Sequence, residues 1–343
     1  MHSLQRSCSR GKRRQSGSRS SADHGGWRQW YGQIMTGMLT LLAVLLIGHQ
    51  GYAGSGTFEP LFSLCLAGNR ATTSATLWRA WRLAPQVVLP LLLALALYGR
   101  GLLALRASGT FPPRGQVVCA AAGWLVLVAA LVSPLCRLAA TLVSAHMVQH
   151  MLLVAVAPPL LVLARPLPVM NAALPQGWQS AIVTFCTRVA CGWRRPSGPL
   201  AAGAVYGAAI WLWHVPVIYQ AVLLDPALHT FAYAGLIGVS LLYWATVVAV
   251  GQNSPSGYGA AIVSMLTTLM HTGLLGALLT FASAPWYPVL GDGADLWGFS
   301  PLADQQLAGL VMWMPMGAIY LIGSLIAAAA WLAAAARPTA AGH

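Results

Sequence analysis

Five histidines lie in long apolar runs of this chain, and two of them share a spacing that can hold a metal. His146 and His150 sit in Ser144-Ala145-His146-Met147-Val148-Gln149-His150-Met151. One helical turn apart, they share a helix face, as do Met147 and Met151 beside them. His214 lies in Trp213-His214-Val215-Pro216, His229 opens a further apolar run, and His271 follows Ser264, Thr267 and Thr268 at i, i+3, i+4, i+7. Asp304, Gln305 and Gln306 precede Met312, Met314 and Met316 in the last apolar run. Imidazole suits copper and zinc, and thioether sulfur selects Cu(I). A His and Met set without carboxylate-rich or thiolate ligands therefore leans to copper. Each part also has an ordinary reading. A His at a helix start, such as His229, is commonly interfacial or hydrogen-bonded. Met at helical spacing is commonly packing. Asp304, in a first helical turn after Ser300-Pro301, complements the helix macrodipole.

Other chemistry is harder to find. The H-x-x-x-H spacing is that of a zinc protease, but Met147 stands where the general-base Glu belongs. His146 and His150 approach from one side and cannot sandwich a haem, although either could do so with His214 or His271 across a bundle. No acid lies near the centre of an apolar run, which argues against a carboxylate proton relay. The cysteines (Cys8, Cys65, Cys119, Cys136, Cys186 and Cys191) form no C-x-x-C pair, so we expect neither a disulfide framework nor a thiolate metal site.

The elements that must position these residues are membrane helices. Hydrophobic residues make up 57% of the 343 and charged residues 7%. A soluble domain carries about 25% charged residues, so this composition excludes a soluble enzyme, a disordered chain and a nucleic-acid-binding domain. The fold class expected is all-α, a polytopic transmembrane bundle with seven core spans after an N-terminal hydrophobic segment. The runs are 33–53, 83–105, 117–136, 139–164, 200–221, 229–250, 258–282 and 305–332. The first follows a basic leader and ends in Gly51-Tyr52-Ala53, so it is either an eighth span or a signal peptide. The organisation expected is a basic leader (1–32), the first hydrophobic segment (33–53), an external loop (54–82), the seven-span domain (83–332) and a tail (333–343).

Of the 19 Lys and Arg residues, only Arg70, Arg79, Arg82 and Arg137 fall on one side of this topology. The positive-inside rule puts that poor side outside and both termini in the cytoplasm. The histidines, the 312–316 methionines and Asp304 then all fall in the outer half of the membrane. Intramembrane polar groups are costly, and several helices placing them at one depth point to one site opening outward. Pro216 and Pro315, just after His214 and Met314, can each kink a helix there.

At these residues the sequence resembles the CtaG family of bacterial cytochrome c oxidase assembly factors, the seven-helix integral membrane type. The stretches that carry the resemblance are Ser133-Pro134-Leu135, the 144–151 block, Ala157-Pro158-Pro159-Leu160, Trp213-His214-Val215-Pro216 with Tyr219, and Trp244. The last block runs from Trp297 to Gly309 and continues through Met312-Trp313-Met314-Pro315. The resemblance covers about residues 83–332. It implies a non-enzymatic factor in the bacterial inner membrane that assists copper delivery to the CuB centre of a haem–copper oxidase. The partners implied are oxidase subunits and a periplasmic copper chaperone. His146, His150, His214 and His271 look like the family's site positions, with Asp304 and Met312 as further candidates and Met147 as a completing ligand for transiently bound Cu(I). A copper or other ion transporter and a haem-binding membrane oxidoreductase are the competing expectations.

Overall fold

The computed structural model describes residues 72–181, 184, 198–249, 255–288 and 291–336. The expected leader, first hydrophobic segment and most of the 54–82 loop and the 333–343 tail lie outside them. The described chain is built of helices. The principal ones are α1 (Pro85–Ala107), α2 (Arg114–Leu131), α3 (Pro134–Ala139), α4 (Val143–Met151), α5 (Ala157–Ala164), α6 (Pro166–Ala172), α7 (Pro199–His214), α8 (Pro216–Leu224), α9 (Pro226–Ala249), α10 (Pro255–Thr280), α11 (Gly291–Ala294) and α12 (Pro301–Ala335). Proline recurs as the first helical residue because its missing N–H would be unbonded there anyway and its φ is preset.

Six helical stretches are long and apolar enough to cross a membrane, and the pair α7–α8, bent by 75°, makes a seventh if read as one broken span. Six of the seven core spans expected from hydropathy are therefore present as single stretches, and the seventh corresponds to the bent pair. The bend falls at Val215, whose extended backbone is the conformation a following proline imposes. α12 has 35 residues, about 52 Å of helix, longer than a hydrocarbon core of about 30 Å.

The span carrying His146 and His150 is interrupted. A π-helical stretch, Leu152–Val156, joins α4 to α5. Pro158 and Pro159 supply no N–H, so the Val154 carbonyl loses its normal i+4 donor. Side chains replace it: Tyr206 Oη at 3.4 Å and Trp244 Nε1 at 3.2 Å donate to it, as does Ser240 Oγ. Irregular helices in membranes need such internal partners.

Small residues set the closest helix contacts. A Cβ on Gly309 would lie 2.5 Å from the Gly276 carbonyl oxygen, so α10 and α12 touch backbone to backbone. The lipid-facing surfaces carry exposed leucines, among them Leu89, Leu92, Leu93 and Leu103 on α1. The cysteine expectation needs one correction. Cys136 is disulfide-bonded, to a partner outside the described residues, whereas Cys119 is a free thiol. A pairing across a long stretch of chain leaves no short spacing to read.

Candidate metal centre

The helix bearing the H-M-x-Q-H block begins at a carboxylate contributed by another span. Asp304 accepts the Val143 N–H at Oδ2 (2.6 Å) and the Ser144 N–H at Oδ1 (3.1 Å), and the Ser144 hydroxyl also donates to it. Backbone N–H groups at a helix start have no intrahelical partner, and an anion there is favoured by the dipole. Asp304 thus caps α4 from the first turn of α12, where its own helix start is capped by Ser300. The next two residues tie the 281–288 loop to the same end. Gln305 Oε1 accepts the Trp286 N–H at 2.5 Å, and Gln306 Nε2 donates to the Ala282 carbonyl at 3.2 Å. Gln149 spans two helices: its Nε2 donates to Ala130 O (2.7 Å) and its Oε1 accepts from Tyr233 Oη (2.8 Å).

Held this way, α4 presents His146 and His150 with ring centres 4.3 Å apart. His214 comes from the end of α7, its ring 6.5 Å from that of His150. His229, in the first turn of α9, lies 6.5 Å from His146 and 4.4 Å from Tyr233. Tyr219 and Tyr233 pack edge-on to His146, with ring centres 5.4 and 6.1 Å away. His146 and His229 are 1% and 0% exposed.

The nitrogens are mostly unpaired. His150 and His229 have no hydrogen-bond partner at either ring nitrogen, and His146 Nδ1 and His214 Nε2 have none either. His214 Nδ1 lies 2.7 Å from the Ile210 carbonyl. A carbonyl only accepts, so Nδ1 carries the proton and Nε2 presents a lone pair. Metal-binding histidines are commonly oriented by such a bond on the opposite nitrogen.

Two small cavities adjoin these rings. One, of about 20 Å³, is bordered by Met147, His150, Met151, Ile210, His214, Met312 and Met316 among others. The second, of about 10 Å³, borders His146, His150, Tyr219 and Tyr233. Both are the size of a water molecule or an ion, far below the hundreds of Å³ that an organic ligand fills.

The structure therefore brings together His146, His150, His214, Met147 and Met312 of the expected set. His271 is placed elsewhere. Its ring lies against Gly207, where a Cβ would come within 2.9 Å of Nε2, two helical turns along α7 from His214. Asp304 spends its carboxylate on the α4 backbone. His229, Met151 and Met316 join the cluster without having been expected as ligands. His229 shares the right depth in the sequence, but a helix-start His has the interfacial reading, and Met has the packing one. Among the described residues, no three His, Cys, Asp or Glu side chains converge closely enough to hold an ion. Sulfur donors or ring rotation must complete any coordination.

Residues of the later loop pack over the start of α4. Ala294 of α11 and Trp297 pack on Leu142, Ala145 and Leu138 over the start of α4. Trp297 Nε1 donates to Thr72 O at 2.7 Å. Tyr287, in the loop between α10 and α11, donates from Oη to the His214 carbonyl at 2.9 Å. Burial pushes its phenol above the usual range, which keeps it a donor.

Residues 96–334 match the family of cytochrome c oxidase caa3 assembly factors. No curated protein and no solved structure matches the chain.

Proposed function

The chain belongs to the family of cytochrome c oxidase caa3 assembly factors, and from that premise we propose that it passes copper(I) to the CuB centre of a haem–copper oxidase. Oxidase subunits are then its partners, a periplasmic copper chaperone is the donor, and no substrate is turned over. The single observation that carries this reading is the set of buried, unpaired imidazole nitrogens that His146, His150, His214 and His229 gather from three spans, apart from the lone unpaired Nδ1 of His271. Leaving a polar atom buried without a partner costs about 1–3 kcal/mol. A membrane protein that keeps several at one depth has a use for them. The donor set fits the cargo: neutral nitrogens at His146, His150 and His214 with thioethers at Met147 and Met312 favour Cu(I). His271 and Asp304 fit less well, for the positional reasons above. The charge distribution, which puts this end of the bundle outside, agrees with loading from a periplasmic donor.

The test is replacement of His146 and His150 by Ala in cells dependent on this protein. Oxidase copper and activity are expected to fall to the level of a strain lacking the protein, with the variant present in normal amount. Unchanged oxidase copper would sink the proposal. A copper flux assay in vesicles separates delivery from transport, and no uptake is expected. The cavity sizes leave no room for a porphyrin, so the purified protein is expected to lack a Soret band.

A further inference from the structure

The two cavities differ in the softness of their walls. The larger is bordered by four thioethers and two imidazoles, with Val154, Ile210 and Leu236 as its remaining wall. The methionines come as two pairs one turn apart, Met147 and Met151 on α4 and Met312 and Met316 on α12. Met314, between the members of the second pair, is 65% exposed on the lipid side, so α12 turns only its in-phase methionines to the cavity. Packing alone would be met as well by leucine, and it offers no reason for four sulfurs to gather around unfilled space. The smaller cavity has no sulfur. Its polar border is His146, His150, Tyr219 and Tyr233, and His229 stands behind Tyr233. His150 is the one histidine that borders both.

We infer, resting on the copper reading above, that the cluster is two adjoining Cu(I) subsites that share His150. One is an imidazole subsite nearer Asp304, bordered by His146, which His229 completes when its ring turns past Tyr233, because the three imidazoles do not converge as they stand. The other is a thioether subsite a turn deeper, with Met147, Met151, Met312, Met316 and His214.

The ring of His150 makes no hydrogen bond at either nitrogen, so it turns between the cavities without breaking one. Transfer is ligand exchange only. A neutral imidazole nitrogen is released and a neutral sulfur or imidazole nitrogen replaces it. The ion keeps its single charge, and nothing is oxidised or reduced. No proton has to move at His214, whose Nε2 lone pair already points away from the carbonyl bonded by Nδ1. The deeper subsite is expected to discriminate against Zn(II) and Cu(II), which prefer nitrogen and oxygen donors to thioether sulfur.

The test uses the full-length protein in lipid nanodiscs, loaded with one equivalent of Cu(I) under reductant, and X-ray absorption at the copper edge. Sulfur scatterers are expected in the unsubstituted protein. Met151→Leu with Met316→Leu conserves volume and is expected to reduce the sulfur contribution to what Met147 and Met312 retain, with affinity against a Cu(I) chelator lowered at least about tenfold. His229→Leu is expected to keep the sulfur signal at equilibrium but to slow loading by about tenfold. Copper bound by nitrogen alone in the unsubstituted protein would overturn the thioether subsite while the delivery reading stands. Loading unaffected by His229→Leu would overturn the imidazole subsite. No Cu(I) binding by the unsubstituted protein would remove the delivery reading itself.

Discussion

Two buried polar clusters share this bundle, and they treat hydrogen bonds in opposite ways. In the deeper one, Tyr206 and Tyr320 bond each other at 2.8 Å, and Tyr206 also reaches the Val154 carbonyl. Tyr243 receives the Thr268 hydroxyl at 3.3 Å, and Ser264 Oγ donates to Pro199 O at 2.7 Å. The rings stack, Tyr206 on Tyr243 and Trp244 on Tyr320. Every one of these groups has a partner. In the histidine cluster, one to two turns nearer Asp304, six imidazole nitrogens on four residues have none. The first cluster is how a membrane protein keeps polar groups for structure, locking a π-helical joint by filling its spare carbonyl. The second keeps lone pairs free at a cost in stability, which is the arrangement expected where a partner arrives from outside the chain.

The comparison is sharpest at Asp304, which belongs structurally to the paired class but holds up the unpaired one. Asp304→Asn replaces one accepting oxygen by an NH2 group facing a backbone donor. The loss of a charge-assisted cap is expected to cost about 2–3 kcal/mol, seen as the largest drop in thermal unfolding temperature in detergent. Copper retention should fall with it, because the start of α4 sets where His146 and His150 point. Normal stability with normal copper would show that the carboxylate does not position α4.

Tyr206→Phe should come next. It removes one hydroxyl from a satisfied network, worth about 0.6–1.5 kcal/mol in a membrane or soluble setting. The Val154 carbonyl retains Ser240 and Trp244, so the π-helical joint survives and Cu(I) affinity is expected to stay within about twofold. His229→Leu makes the opposite contrast. It deletes two unbonded nitrogens, so unfolding temperature should hold or rise slightly, by the equivalent of up to about 1 kcal/mol. A marked loss of stability there would mean that His229 is a structural residue and that the two clusters do not differ in kind.

How much of this was legible beforehand follows from range. The spans are written locally in apolar runs: six of the seven expected ones are found as single stretches, and the 200–221 run is a helix pair bent at the proline it contains. The pairing of His146 with His150 is a one-turn relation and needed no tertiary knowledge. The depth of His214 followed from counting along its helix. The role of Asp304 did not, because its partners lie about 160 residues away in the chain and nothing in the D-Q-Q block names them. Met151 and Met316 were visible as residues but not as ligands, since only the fold shows that two helical pairs face one cavity. His271 was placed with the others because its depth was judged along a helix without its rotation. The Ser264–Thr268–His271 stripe does face protein, but it faces α7 at Gly203 and Gly207.

That placement gives the smallest and most discriminating prediction. Gly203 and Gly207 let α10 approach α7, with Ser264 Oγ and the His271 ring filling the space their missing side chains leave. His271 is half-buried and makes no ring contact with His146, His150, His214 or His229 among the described residues. His271→Ala should therefore leave Cu(I) affinity unchanged and cost only the packing of one partly exposed ring, within about 1 kcal/mol. Gly207→Ala brings a methyl to 2.9 Å from His271 Nε2. A side chain can yield to that contact, so this substitution should displace the His271 ring without moving His214 and should also spare copper binding. If either change lowers Cu(I) affinity tenfold while His214→Ala does not, the metal-handling histidines lie along the α7–α10 seam. The unpaired cluster at the start of α4 would then be a packing feature after all.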